Sequence, residues 1–294
     1  MVPQDSPRQV TILGVGLLGG SIGLALRSAA PGCRIIGYGH RRQSLDKARE
    51  IGAVDAIELD PAAAVAGSDL VVLCTPVGSF EQILRRIAPA LAPGALVTDV
   101  GSTKRSVVRS AESILLHEGV EFVGSHPIAG SEKRGVDFSR ADLFSNQLCI
   151  VTPTAKTSRP ALGRIEQFWK MLGMRIARLS PRDHDRLLAD VSHLPHLLAA
   201  ALVAMQEETA LDLCGKGFLD TTRIAGGDGG LWRDILLDNA DNLKTGLRRL
   251  RSQLSAVEKM LNAKSGDPLR KWLDDAAQRR QKLLEQKLRE INPD

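Results

Sequence analysis

The sequence predicts an α/β unit built on a parallel sheet covered on both faces, followed by an all-helical unit. Three observations lead there. Up to about residue 180, short apolar, β-branched runs alternate with helical patterns, and continuous apolar strands separated by helices belong to parallel sheets buried on both sides. After Ser180 and Pro181 the strand patterns stop and helical patterns continue to the C-terminus. The 294 residues suit two domains better than one core. The expected division is 1–180 for the α/β domain and 181–294 for the helical domain.

The elements follow in order. Gln9–Val15 predicts a strand and Gly20–Ser28 a helix; Arg34–Gly39 a strand and Ser44–Ile51 a helix. Leu70–Cys74 is a strand before the helix Phe80–Ala88, and Ala95–Val100 a strand before the helix Lys104–His117. Strands follow near Glu121–Gly124 and Leu148–Thr152, then a helix over Arg159–Leu172 and a strand over Met174–Leu179. In the helical half, Leu236, Ala240, Leu243, Leu247, Leu250, Leu254, Val257 and Leu261 step by four and three. That heptad seam requires a partner helix, in the same domain or in a second subunit. Leu269–Ile291 predicts a charged amphipathic helix.

Composition bounds the class. An apolar fraction of 43% with 25% charged residues is that of a folded globular chain. The longest apolar run, Leu197–Met205, is nine residues, short of the roughly 18 that a membrane span needs. The N-terminus carries no apolar signal region, so no membrane association and a cytoplasmic location are expected. Cys33, Cys74, Cys149 and Cys214 are widely spaced without metal-ligand partners, and are expected to be buried thiols in a reducing compartment, with no metal. The net charge of +5 comes with interspersed acids and only 3% aromatics. A concentrated basic stripe with stacking aromatics, the mark of nucleic-acid binding, is missing. Small anions are the expected ligands.

Gly14-Val15-Gly16-Leu17-Leu18-Gly19 matches GxGxxG between a predicted strand and a predicted helix, the context that gives the motif meaning. Gly14 permits the tight turn, Gly16 lets the backbone approach a pyrophosphate, and Gly19 lets the helix pack on the strand. The N–H groups that open the helix, at Leu17 and Leu18, face the anion. This is a Rossmann-type dinucleotide-binding fingerprint. An acid at the end of the second strand would hydrogen-bond the ribose hydroxyls of NAD. Here the strand ends Gly39-His40-Arg41-Arg42. The acid is missing and two arginines suit a 2′-phosphate, so NADP is the expected cofactor, with NAD left open. Thr75-Pro76 and Ser102 end two further strands and should line the same cleft.

The most informative stretch is Gly124-Ser125-His126-Pro127-Ile128-Ala129-Gly130-Ser131-Glu132, which places a histidine just after a strand on the cofactor face. Histidine exchanges protons near neutral pH. It has company in Asp183-His184-Asp185 and Ser192-His193-Leu194-Pro195-His196, where Pro195 should kink the helix. Thr222-Arg223-Ile224-Ala225 and Leu231-Trp232-Arg233-Asp234 follow.

Taken together, GVGLLGGSIGLAL, TDVGSTK, GSHPIAGSEKRGV, DHD with SHLPH, TRIA and LWRDI, in that order over nearly the whole chain, resemble the prephenate/arogenate dehydrogenase family of tyrosine biosynthesis. The resemblance implies an oxidative decarboxylation. A hydride leaves the ring carbon bearing the hydroxyl for the nicotinamide, carbon dioxide leaves the opposite carbon, and the ring becomes aromatic. It implies that His126 draws off the hydroxyl proton and that Ser102 lies beside that hydroxyl and the nicotinamide. It further implies that Arg223 binds a substrate carboxylate through a bidentate fork, and that His196 lies near the substrate side chain. Glu132 resembles a gating acid, and Trp232 an aromatic reaching the neighbouring subunit's site. A homodimer built through the helical half is implied. NAD-dependent members carry an acid at the position of Gly39. No chorismate mutase segment is expected before the first strand and no regulatory domain after about residue 291, so feedback by tyrosine would act at or near the active site. Two other readings stay open: a β-hydroxyacid dehydrogenase, whose helix lysine is not found between Ser192 and Ala201, and a catalytically silent dinucleotide sensor, which has no need of His126 and Arg223 together.

Overall fold

The computed structural model describes residues 7–115, 119–130 and 133–291. Nine strands and thirteen α-helices are seen among the described residues. The strands are β1 Gln9–Leu13, β2 Arg34–Tyr38, β3 Ala56–Glu58, β4 Leu70–Leu73, β5 Leu96–Asp99, β6 Glu121–Phe122, β7 Gly124–Ile128, β8 Leu148–Thr152 and β9 Arg175–Arg178. Threaded among them are α1 Leu17–Ala29, α2 Arg42–Glu50, α3 Pro61–Val65, α4 Phe80–Ile87, α5 Arg105–Leu115 and α6 Arg159–Met171. Beyond β9 come α7 Pro181–Leu188, α8 Leu194–Ala204, α9 Glu208–Leu211, α10 Lys216–Thr222, α11 Gly229–Asp238, α12 Ala240–Asn262 and α13 Gly266–Ile291.

The first six strands form one all-parallel sheet in the order β3-β2-β1-β4-β5-β6, with Val10 of β1 registered against Ile35 of β2 and Leu70 of β4. The order reverses between β1 and β4, and ligands of open α/β sheets bind outside the strand ends at such a switch point. Apolar side chains cover both faces. Ile12, Ile22, Leu26, Ile35 and Val72 belong to one core layer, and Leu13, Val71, Leu73, Leu84 and Val97 to the other.

A second sheet, β7-β8-β9, was not expected. The run near Glu121–Gly124 splits: Val123 N–H still donates to Val97 O at 3.0 Å, and then the chain turns into β7, which pairs antiparallel with β8. Gly124 stands at the crossing, where a Cβ would come within 2.5 Å of Thr152 and 2.8 Å of Val108. His126 therefore lies inside β7, opposite Ile150, and not just after a strand.

By compactness the chain divides after Ala240. The strands do end at Arg178 and helices do begin at Pro181, but the first of these helices are tied to the sheet: Asp185 accepts from the amides that open α5, and α11 lies against the turn after β4, where a Cβ on Gly78 would meet Asp234 at 2.6 Å. The run Pro181–Ala204 is continuous helix, and an 18-residue stretch within it is long and apolar enough to cross a membrane, which a count of uninterrupted apolar residues missed. It is also the run that carries His184, Asp185, His193 and His196. A π turn over Ala189–His193 lies just before Pro195, the residue expected to kink the helix.

The unit from Asp241 onward holds most of α12 and all of α13, joined by a turn at Ala263–Ser265, with Trp272 Nε1 donating to Gln253 Oε1 at 3.3 Å. Leu254, Leu261, Leu273, Leu283 and Leu288 are all more than half exposed. The predicted heptad seam is broken at its start: Leu236 belongs to α11, and Asn239 interrupts the helix before α12. The four cysteines are free thiols; Cys33 and Cys149 are buried, whereas Cys74 and Cys214 are only half-buried, a departure from the expectation.

Candidate active site

The glycine fingerprint takes the geometry its spacing requires. Gly14 has φ +108°, and a Cβ there would lie 2.8 Å from the Cys74 and Thr75 backbone, so the end of β1 and the end of β4 touch. A Cβ on Gly19 would fall 2.2 Å from Gly14 O and 2.8 Å from Ile12, so α1 can approach β1 this closely only with glycine at that position. Nothing lies within 4 Å of the same atom on Gly16. Gly16 caps α1 without any side-chain bond to the opening N–H groups of Leu17 and Leu18, and a helix start left open in this way receives phosphate. The residues present fit a dinucleotide. Thr75 accepts from Ser79 Oγ at 2.9 Å, which steadies the turn after β4 through Pro76.

At the end of β2, Gly39 is half-buried while His40, Arg41 and Arg42 are exposed. Arg42 opens α2 and pairs with Asp46 one turn on, Nε to Oδ2 at 3.1 Å. A Cβ on Gly39 would approach only the tip of Leu45, at 3.3 Å.

The catalytic end is organised around a buried ion pair. Lys104 and Asp99 are both fully buried and joined Nζ to Oδ2. Asp99 Oδ2 also accepts from Gly101 N at 2.8 Å and Oδ1 from Ser125 N at 3.0 Å. One carboxylate thus locks the loop carrying Ser102 to the strand carrying His126. Burial pushes the Asp99 carboxyl up and the paired Lys104 opposes it, an unpaired charge at such depth being costly.

His126 is half-buried on β7. Its Nδ1 lies 2.9 Å from His184 Nε2, and His184 Nδ1 lies 2.8 Å from Asp185 Oδ1. Burial, followed by the neighbouring His184, Lys104 and His193, holds the His126 imidazole well below its ordinary pKa, so it is neutral at pH 7. Burial lowers His184 too, against the pull of Asp185. On the same helical run, buried His193 is pushed down to about 4 by burial, and Asn239 Nδ2 lies 3.1 Å from its Nδ1 and donates to Asp185 O at 2.7 Å. The break at Asn239 that interrupts the heptad seam thus places a side chain that ties α11 to the histidine helix.

Trp232 on α11 stacks on His196, with ring centroids 3.5 Å apart and planes at 12°, and meets His193 edge-on. The buried Nδ1 of His196 has no hydrogen-bond partner among the described residues. Within one chain, then, Trp232 lines its own histidine cluster. Gly227 is where α10 and its following turn meet this stack: a Cβ there would lie 2.5 Å from Trp232 Nε1. Arg223 lies exposed on the short 3-10 turn Arg223–Gly226, which packs on α8. Arg134, in the loop after β7, pairs with Asp228 at the start of α11. Glu132 lies outside the described residues.

His184 and Asp185 stand in the motif Asp183-His184-Asp185, and Asp99 and Lys104 in TDVGSTK, but the motifs alone assign none of the four a role, and Asn239 stands in no motif. An acid flanking a histidine at a helix start was the one available signal for the first two. Nothing local marks Asn239.

An open parallel sheet with a glycine fingerprint at its switch point, and a neutral histidine on the adjoining strand β7, defines a nicotinamide-dinucleotide-dependent dehydrogenase, an oxidoreductase. Residues 22–178 match the family described as prephenate dehydrogenase, nucleotide-binding domain, and residues 180–275 the prephenate dehydrogenase dimerization domain. The chain belongs to the prephenate dehydrogenase family. It is 34% identical to the cyclohexadienyl dehydrogenase of Zymomonas mobilis over 269 residues, covering 89% of this chain and 91% of that one. It is 36% identical to the prephenate dehydrogenase of Bacillus subtilis over 241 residues, covering 80% of this chain but only 65% of that longer protein. The structure of Aquifex aeolicus prephenate dehydrogenase in complex with hydroxyphenyl propionate and NAD+ superposes with a TM-score of 0.89 at 33% identity, covering 95% and 99% of the two chains.

Proposed function

We propose that the chain catalyses the oxidative decarboxylation of prephenate, arogenate or both, to 4-hydroxyphenylpyruvate and tyrosine respectively, with NADP preferred over NAD. The observation that carries this reading is the neutral His126 imidazole, anchored through His184 and locked beside the Ser102 loop. A bound nicotinamide dinucleotide supplies the hydride acceptor. Gly14, Gly16, Leu17, Leu18 and Gly19 would hold its pyrophosphate, Gly39, His40, Arg41 and Arg42 its adenosine ribose, and Thr75, Pro76 and Ser102 its nicotinamide end. His126 accepts the proton of the ring hydroxyl and Ser102 orients that hydroxyl. Arg223 anchors a carboxylate, and His196, with its unpartnered Nδ1, faces the substrate side chain. Glu132 guards the mouth and Trp232 forms a wall of the site. Aromatisation supplies the drive, so the protein's task is to orient the ring and stabilise developing charge. The working assembly is a cytoplasmic homodimer, with 1–180 serving the dinucleotide and 181–294 the substrate and the subunit contact.

The test is to supply purified protein with prephenate or arogenate and with NADP or NAD, and follow the reduced cofactor. Turnover with at least one pair is expected. Absence of turnover with all four pairs, in protein that binds cofactor, would overturn the assignment.

A further inference from the structure

We propose that Asp185 and His184 are positioning residues that decide which nitrogen of His126 carries the proton, leaving Nε2 bare toward the substrate hydroxyl. The inference deepens the function proposed above and rests on it. It begins at a helix end. The Asp185 carboxylate accepts from the amides of Lys104 and Arg105, each at 2.8 Å, where α5 opens. That is the end of a helix at which a negative charge is favoured. Burial would raise its pKa, but the bonds from His184, Arg105 and Lys104 outweigh it and keep the carboxyl below the usual range. An ionised carboxylate can only accept. The 2.8 Å contact between Asp185 Oδ1 and His184 Nδ1 therefore has its proton on the histidine.

The rest follows by exclusion. A neutral imidazole has one N–H and one lone pair, so His184 Nε2 is the lone pair. Its 2.9 Å contact with His126 Nδ1 then requires that His126 be the donor. Neutral His126, protonated at Nδ1, keeps its lone pair on Nε2. The reverse arrangement would set the bare Nδ1 of His184 against a carboxylate oxygen. The other nearby charges do not compete: Lys104 Nζ is taken by Asp99 and by Thr103 O, and His193 is held at Nδ1 by Asn239. When His126 Nε2 takes the hydroxyl proton, the imidazolium donates its Nδ1–H to His184, and no proton need pass further. Asp185 also caps α5, whose preceding loop carries Ser102, so the chain that orients the base starts from the element that follows the serine.

Nitrogen NMR of the protein labelled at histidine nitrogens reads the outcome with no substrate present, the His126 signals being assigned by their loss in His126→Gln. The parent should show His126 protonated at Nδ1 and bare at Nε2. His184→Phe removes the acceptor, and should shift His126 toward the Nε2-protonated form. It should lower kcat on the order of tenfold or more, less than loss of His126 itself, with KM and cofactor affinity nearly unchanged. His184→Gln, whose side-chain carbonyl can accept from Nδ1, should retain the tautomer and most of kcat. An Nε2-protonated His126 in the parent, or the same tautomer and kcat in parent and His184→Phe, would overturn the proposal. The spectra are independent of turnover, so a parent with the expected tautomer but no activity on prephenate or arogenate would refute the functional reading alone.

Discussion

At the scale of single residues, the proposed chemistry turns on a histidine kept neutral by its surroundings. Because burial lowers the His126 pKa, and a base works only above its pKa, the acid limb of kcat/KM should lie below the ordinary histidine value of about 6.5. Activity should persist at pH 6 and fail only at lower pH. His126→Asn should lower kcat by roughly 10²–10⁴ with cofactor affinity little changed; a limb at or above 6.5, or an unaltered kcat in the variant, would contradict the role. Arg223 poses a different case. It is exposed on a short turn packed against the histidine helix, and its proposed role is to anchor a substrate carboxylate. Replacing it with alanine should raise KM roughly ten- to hundredfold, the loss of one charge-assisted bond. A fall in kcat at constant KM would show that it is no ground-state anchor. His126 and Arg223 were legible because each stands in a short motif of unusual composition. His184 was not, because its contact is with a partner 58 positions away, and the same residue types on any buried helix would pass as core.

At the scale of elements, the glycine turn was legible at Gly14 and Gly19, since each answers a local steric demand that spacing alone reveals. The second sheet was not. Strand β7 is five residues containing a histidine and a proline, and only its long-range pairing with β8 makes it a strand. The seam begun at Leu236 misled for a related reason: asparagine fits an amphipathic helix pattern, and its capture by His193 and Asp185 O belongs to tertiary structure. Cofactor choice also belongs to one element end. Gly39 offers no carboxylate to repel a 2′-phosphate and Arg42 is engaged by Asp46, so the proposed NADP preference would rest on Arg41. The parent should show the higher kcat/KM with NADP, and the double variant Gly39→Asp, Arg41→Ala should reverse or erase that ratio. The added side chain needs only a small movement of the Leu45 tip, so misfolding is not the expected outcome. A parent that favours NAD, or a ratio untouched by the variant, would show that these residues do not read the 2′ position.

At the scale of the molecule, the leucines of α12 and α13 ask for a cover. Residues more than half exposed, such as Leu254, Leu261 and Leu273, form a surface of the kind that subunit contacts bury, and isologous two-fold pairs are the commonest homo-oligomers. The match to a dimerization domain over residues 180–275 points the same way. Light scattering at micromolar concentration should give twice the 31.7 kDa of one chain, and Leu254→Glu with Leu261→Glu should reduce it toward one; a monomeric parent would contradict the assembly. The account as a whole stands on a dehydrogenation coupled to loss of carbon dioxide at one ring, with His126 as the base. The most direct measurement is to quantify reduced cofactor, released carbon dioxide and the phenolic product in the same reaction mixture. Equal amounts of all three, falling together in His126→Asn, are predicted. Cofactor reduction without carbon dioxide, or a product that is not phenolic, would contradict it.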